Sequence, residues 1–170
     1  MSKPPVVPEG YSTVTPWIIA KGAGGLVAFI EKTFRGREKA GSRILSADGY
    51  IDHVEVQVGD SVIMLFDRRE GWPETPCFLR IYVEDAAAVL ERARVEGATI
   101  ITGLTPLFFG DAVGRIRDPW GNFWWVQERR EEVGWPEMEQ RMKEPQQVEN
   151  MRYVQESLDR ALITLGRNHS

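Results

Sequence analysis

Two ionisable side chains of one predicted strand could carry out acid–base chemistry. His53 and Glu55 are two residues apart, and because side chains alternate between the two faces of a β-strand, both lie on the same face. A histidine beside a carboxylate can move a proton to or from a bound substrate. The same pair also suits a polar lining that orients a ligand. The spacing leaves both roles open, and with them the question of whether the protein is an enzyme.

A predicted hairpin positions this pair. Residues 51–58 and 61–66 are rich in β-branched and apolar residues, and residues 59–60 between them form a two-residue turn. The register of such a hairpin places Glu55 opposite Met64. The opposite face is aliphatic and suited to packing against helices, with Val54, Val56, Ile63 and Leu65. The face that carries Glu55 is therefore predicted to line a cavity.

The same alternation assigns cavity-facing side chains to the other strands. They are mostly aromatic, with a few polar groups: Trp17, His53, Glu55, Phe66, Phe78, Arg80, Tyr82, Trp125 and Gln127. Flat apolar walls with sparse hydrogen-bonding groups are typical of a pocket for a small organic molecule. The alternative is that these aromatic side chains fill a closed barrel. Burying Arg80 and Glu55 without a partner would be costly, which favours a ligand pocket unless the two pair with each other.

These strands belong to a pattern that occurs twice. Thr15 and Phe78 begin two strands that are 63 residues apart, and each strand is followed by a helical segment and further strands. We expect an α+β fold in which two βαβββ modules, at about 11–67 and 76–128, form a curved mixed-sheet half-barrel. The modules make up one domain, residues 11–134.

Two segments lie outside this domain. Residues 1–10 are rich in proline and are expected to be irregular. Residues 135–170 are predicted to form a helical C-terminal extension, whose last helix follows Pro145 and has one apolar face. That helix either covers the barrel or joins a second subunit.

Composition and charge exclude several classes of function. The chain has 170 residues, a net charge of −4 and no Lys/Arg cluster longer than two residues, so binding to nucleic acid or to an anionic membrane is not expected. The N-terminus lacks the apolar stretch of a signal peptide, and no run is long enough to span a membrane. The single cysteine fits a reducing compartment. We therefore expect a cytoplasmic protein.

Four segments, 9–16, 59–65, 83–85 and 114–122, are similar to a known family. They resemble the PhnB-like branch of the vicinal oxygen chelate superfamily, which includes glyoxalase I, bleomycin resistance proteins and extradiol dioxygenases. The resemblance covers residues 9–143. It implies paired βαβββ modules, a homodimer and a ligand held by the curved sheet.

The resemblance also identifies four positions where metal enzymes of the superfamily hold their ion, with His and Glu as typical ligands. Those positions are occupied here by Thr15, Met64, Phe78 and Trp125. None of these is a workable ligand for a divalent ion, so we expect neither a metal nor another cofactor.

The sequence thus predicts a metal-free protein that binds a small, aromatic or planar organic molecule, for example to sequester a drug or a metabolite. The alternative is a lyase, an isomerase or another enzyme of the superfamily that uses His53 and Glu55 or a relocated metal.

Overall fold

The computed structural model describes residues 3–167, with side chains up to residue 165. Residues 1–2 of the predicted N-terminal segment and 168–170 of the predicted extension lie outside the described residues. The chain divides into a first unit, Met1–Cys77, and a second unit, Phe78–Ser170. Each unit contains one mixed β-sheet, which confirms the predicted α+β class.

The described part of the first unit, residues 3–77, has five strands and one helix. They are β1 (Trp17–Ala20), α1 (Ala23–Phe34), β2 (Arg37–Glu38), β3 (Ile44–Leu45), β4 (Ile51–Val58) and β5 (Ser61–Asp67). The strand order is β1-β5-β4-β2, and β3 also pairs with β4. The first and last strands, β1 and β5, run parallel, while β4 and β5 form the antiparallel hairpin.

The hairpin has the predicted register, with Glu55 opposite Met64. The predicted aliphatic face is buried, and α1 contacts both of its strands. The Asp67 carboxylate links the helix to the hairpin. It accepts one hydrogen bond from the backbone N–H of Ala23, which begins α1, and one from the backbone N–H of Ile51, which begins β4. Both bonds are 2.7 Å long. The other face of the hairpin is thereby turned away from α1.

The first strand begins later than predicted. It was predicted to begin at Thr15 but begins at Trp17, after Pro16, whose ring leaves no N–H for a ladder. The Pro16 carbonyl still accepts a hydrogen bond from the backbone N–H of Met64. Strands β2 and β3 have only two residues each.

Over its described residues, 78–167, the second unit has four strands and three helices. They are β6 (Phe78–Tyr82), α2 (Ala86–Val95), β7 (Thr99–Pro106), β8 (Asp111–Arg117), β9 (Phe123–Arg129), α3 (Trp135–Arg141) and α4 (Pro145–Arg167). The strand order is β6-β9-β8-β7, and β6 runs parallel to β9. The Asp85 side chain caps α2 by accepting from the Ala88 N–H. Helix α2 packs against one face of the sheet, where Leu90 contacts the bare backbone of Gly114.

Helix α4 packs on the other face of this sheet, over β7. Val154 and Ser157 are buried there, and the Ser157 hydroxyl lies 2.7 Å from the Thr102 hydroxyl. Of the two roles considered for this helix, the structure thus shows it covering a sheet of its own chain. None of the helices in the described part of the chain has the length and apolar character needed to cross a membrane.

Candidate functional site

An indole between two guanidinium groups lies on the face of the second sheet that α2 leaves free. Trp125 on β9 is opposite Arg80 of β6 and opposite Arg115 of β8. Because β9 lies between β6 and β8, the indole is flanked on both sides. The guanidinium carbons of Arg80 and Arg115 are 4.8 Å and 3.8 Å from the ring centroid, within cation–π range. We call these three residues the Arg–Trp–Arg ladder.

Arg115 is the buried member of the ladder, with 3% of its surface exposed. Its Nη1 donates to the Thr102 hydroxyl at 3.1 Å and to the Val154 carbonyl at 2.5 Å, so it joins β8 to β7 and to α4. Desolvation, and then the charge of Arg80, lower the pKa of Arg115 to about 10. The side chain therefore remains protonated at neutral pH despite its burial.

The positive charges of the ladder are not neutralised. Within the described part of the chain, no carboxylate forms an ion pair with Arg80 or Arg115. The two guanidinium charges repel each other, and this repulsion contributes to the lowered pKa of Arg115. In addition, Arg115 Nε and Trp125 Nε1 are buried without a hydrogen-bond partner among the described residues. The ladder thus has both excess charge and unused donors.

Aromatic side chains surround the exposed end of the ladder. Phe78 and Tyr82 are on the same face of β6 as Arg80, and they are 52% and 59% exposed. Phe78 stacks on Phe123 of β9 with a centroid distance of 5.2 Å and an angle of 5°. Large exposed rings that lie next to one another on a sheet are typical of a binding surface.

The remaining predicted residue on this sheet, Gln127, is buried rather than open to a ligand. Its Nε2 donates to the carboxylate of Asp111. The structure therefore places five of the predicted ligand-binding residues on one face of the second sheet: Phe78, Arg80, Tyr82, Trp125 and Gln127. Of these five, Gln127 already has a protein partner.

The other four predicted residues lie together in the first unit. Trp17 is 54% exposed, and its ring meets Phe66 edge-on at 5.2 Å and His53 at 6.4 Å. The sequence analysis missed Trp72, which also meets Phe66 edge-on, at 6.1 Å. Trp72 lies in the loop after β5, where no periodic pattern indicates which way a side chain points.

Glu55 is held by three donors of the first unit. Its carboxylate accepts from the Tyr11 hydroxyl at 2.5 Å, pairs with Lys39 Nζ at 2.8 Å and lies 3.1 Å from His53 Nε2. Burial alone would raise its pKa, but the hydrogen bonds from Lys39, Tyr11 and His53 outweigh burial and lower the pKa to about 2. Glu55 is therefore ionised at neutral pH and is a poor proton acceptor. It is well placed to orient His53.

The four positions where the superfamily's metal enzymes hold their ion do not fit a metal in this chain. Thr15 precedes β1, and its hydroxyl donates to the Ser12 carbonyl. Met64, Phe78 and Trp125 are on strands but carry no carboxylate, imidazole or thiolate. Among residues 3–167, no three His, Cys, Asp or Glu side chains form a group that could hold a metal ion.

The two units share the parallel pairing of first and last strands, and each first strand carries an exposed aromatic side chain, Trp17 in one and Phe78 in the other. A family model, described as the Glyoxalase/Bleomycin resistance protein/Dioxygenase superfamily, matches residues 30–126. The chain belongs to this superfamily. The resemblance identified from the sequence is thereby confirmed for the family and the fold.

This superfamily member is similar in sequence to one relative and in structure to two solved proteins described below. An uncharacterised protein of Mycobacterium bovis is 26% identical over 140 residues, which cover 76% of this chain and 91% of the relative. A crystal structure of a Pseudomonas aeruginosa protein matches with a TM-score of 0.57 at 20% identity, covering 71% of this chain and 99% of that one. The PhnB protein from Bacillus cereus matches with a TM-score of 0.53 at 16% identity, covering 69% and 99%. Likeness at this level of identity establishes the fold and leaves the ligand open.

Proposed function

We propose that this superfamily member binds a small organic molecule with an aromatic or planar ring, and that no metal ion takes part. The observation that carries the proposal is the exposed aromatic face of the second sheet, where Phe78 and Tyr82 lie beside the Arg–Trp–Arg ladder. Rings of this kind stack on a planar ligand with offset or edge-to-face geometry. Trp17 with Phe66 offers a comparable surface in the first unit.

Sequestration of a drug or a metabolite is the form of this function that we favour. The matched family model includes bleomycin resistance proteins in its description. The residues at the superfamily's metal positions do not suit an ion, and the carboxylate of Glu55 is ionised and already has three partners. This combination supports binding more directly than it supports catalysis.

One contact favours a second candidate, a lyase or isomerase. His53 Nε2 is held 3.1 Å from Glu55 Oε1, so one ring nitrogen is fixed and the other is available to a substrate. In that case His53 would exchange the proton and Glu55 would orient the ring. NMR spectroscopy of a ligand recovered after incubation with the protein separates the two candidates. Sequestration returns the ligand unchanged, whereas an isomerase returns an isomer of the same mass and a lyase returns a different compound.

Intrinsic tryptophan fluorescence and thermal unfolding test the proposed function. We expect at least one compound in a panel of aromatic metabolites and antibiotics to raise the melting temperature and to change the fluorescence. Trp125→Ala should then weaken binding by about tenfold, which corresponds to the loss of one aromatic contact. Trp125→Phe keeps most of the bulk and should weaken binding less.

Trp135→Ala is the matched control, because Trp135 is an exposed tryptophan on α3, away from the sheet strands. Its affinity should equal that of the unchanged protein. The proposal is wrong if no compound in the panel alters either signal, or if the Trp125 and Trp135 variants lose affinity equally.

A further inference from the structure

The Arg–Trp–Arg ladder offers hydrogen-bond donors and no acceptor. Guanidinium and indole N–H groups can only donate. Arg80 is exposed at the edge strand β6, and its guanidinium makes no hydrogen bond or ion pair with any described residue. Behind it, the unused N–H groups of Trp125 and Arg115 leave their positive partial charge uncompensated. A molecule that contacts Arg80 finds only hydrogen-bond donors there. The ladder can therefore bind groups that carry acceptor oxygens.

Charge on this face has the opposite sign to that of the whole chain. The chain carries a net charge of −4, yet this face brings together Arg80, Arg115 and Arg117. The acidic residue on the same face of β8, Asp111, lies at the other end of the strand and is bound by Gln127. A local excess of one charge on a protein of the other sign concentrates ligands of complementary charge.

Helix α4, which packs on this face, places uncharged residues near the ladder. Met151, Val154 and Trp125 belong to one apolar cluster, and the Ser157 hydroxyl lies beside the Thr102 hydroxyl that accepts from Arg115. The backbone carbonyl of Val154 accepts one Arg115 donor but carries no formal charge. The repulsion between the two guanidinium groups is therefore left for a ligand to relieve.

Two aromatic side chains lie close to the exposed guanidinium of Arg80. Phe78 and Tyr82 are two residues before and after Arg80, so each is roughly 7 Å away along the same face of the strand. An acid group bound to Arg80 thus brings a ring attached to it against one of these side chains.

We propose that the ligand is an aromatic oxyanion, that is, a planar ring carrying a carboxylate or a comparable acid group, with the acid group on Arg80 and the ring against Phe78 or Tyr82. Arg115 is too deeply buried to touch the ligand and acts through its charge. This inference rests on the proposed function and narrows it, since a neutral or cationic aromatic molecule would leave the ladder's charge unpaired.

Three probes with the same ring and different charge test the inference. They are 2-naphthoate, 2-naphthamide and 2-naphthylmethylamine, which are anionic, neutral and cationic at pH 7. Isothermal titration calorimetry measures the three affinities. We expect naphthoate to bind about tenfold more tightly than naphthamide, because its carboxylate forms a charge-assisted hydrogen bond with Arg80. The amine should bind most weakly. Raising the salt concentration should weaken the binding of naphthoate and leave that of naphthamide unchanged.

Two arginine variants locate the effect. Arg80→Gln should reduce the affinity for naphthoate by about tenfold, to that of naphthamide, while the affinity for naphthamide stays the same. Arg94→Gln removes the same charge from α2, where Arg94 pairs with Glu91, and should change neither affinity.

The outcomes also separate this inference from the proposed function. If naphthamide binds as tightly as naphthoate, or if Arg80→Gln leaves their ratio unchanged, the inference is wrong and the proposed function stands. If none of the three probes binds at millimolar concentration, the inference is wrong, and a negative aromatic panel would then overturn the proposed function as well.

Discussion

Glu55 shows how the surroundings of one side chain decide its chemical role. Its two-residue spacing from His53 leaves both a catalytic role and a ligand-orienting role open. The structure adds Tyr11 and Lys39, whose hydrogen bonds hold the carboxylate in its ionised form. Lys39 also lies over the Tyr11 ring, 4.1 Å from its centroid, so the donors support one another. A carboxylate held in this way contributes to stability and to the position of His53, and it accepts protons only in strong acid.

Glu55→Gln should therefore destabilise the protein in a pH-dependent manner. The folded-state pKa of Glu55, about 2, is below the ordinary value of 4.5, so the ionised carboxylate stabilises the fold above pH 4.5. This contribution is lost as the pH falls from 4.5 towards 2. At pH 7 we expect the variant to lose about 1 kcal/mol of unfolding free energy, a value reduced by solvent screening at the half-exposed Lys39. Urea denaturation at pH 7 and at pH 3 measures the difference.

Glu91→Gln is the control for this measurement. Glu91 and Arg94 form an ion pair on the exposed surface of α2, and solvent-exposed pairs of this kind contribute little. Its substitution should leave the unfolding free energy unchanged at both pH values. A Glu55→Gln variant that is as stable as the unchanged protein at pH 7 would contradict the role assigned to this network.

The alternation of side chains along a strand predicts part of the candidate site from the sequence, namely which residues share a sheet face. Alternation correctly groups Phe78, Arg80 and Tyr82 on one face of β6, because side-chain direction along a strand has a fixed period. It cannot find Tyr11 or Lys39, which reach Glu55 from irregular segments. Arg115 lies over Trp125 because β8 and β9 pair in a register that puts the two residues opposite each other. Side-chain alternation within one strand does not predict that register.

Helix α4 has two faces with different roles. On the inner face, Val154 is 2% exposed and packs with Leu107 and Val113, while Met151 and Trp125 contact the same cluster. On the outer face, Ile163 is 55% exposed. The helix therefore closes part of the sheet face that carries the ladder, and its inner contacts fix Arg115 through the Val154 carbonyl.

The same substitution at two positions of α4 measures this packing. Val154→Ala should lower the unfolding free energy by about 1.5–3 kcal/mol, since it removes two buried carbon atoms and leaves a cavity. Val148 is 55% exposed near the start of α4, where Val148→Ala removes the same atoms and should cost less than about 0.5 kcal/mol. Urea denaturation followed by circular dichroism compares them. Equal stability of the two variants would show that α4 does not pack on the sheet as described.

The elements themselves were predictable in proportion to their length and periodicity. Strands β4 and β5 match the predicted hairpin because they have eight and seven residues. Over that length the alternation of side chains between the two sheet faces repeats several times. Strands β2 and β3 have two residues each, and a pair of residues has no period. Their pairing with β4 is decided by the path of the chain after α1, which local sequence does not encode.

For the whole molecule, we expect a homodimer, as the resemblance to the vicinal oxygen chelate superfamily implies. Size-exclusion chromatography with light scattering should give a mass of about twice the chain mass of 19.3 kDa. The mass should stay the same over a tenfold dilution if the interface is of the size that permanent homodimers bury. A mass of one chain at every concentration would contradict this expectation.

The parallel pairing of first and last strands has a consequence for synthesis on the ribosome. Trp17 pairs with Met64, and Phe78 pairs with Phe123, so each unit is closed by contacts between residues more than forty positions apart. At a synthesis rate of about 5–20 residues per second, β1 waits roughly 2–10 seconds for β5 to be made. During this interval its apolar edge is exposed to other nascent chains. Since β5 precedes the whole second unit, the first sheet can close before the second has begun to form.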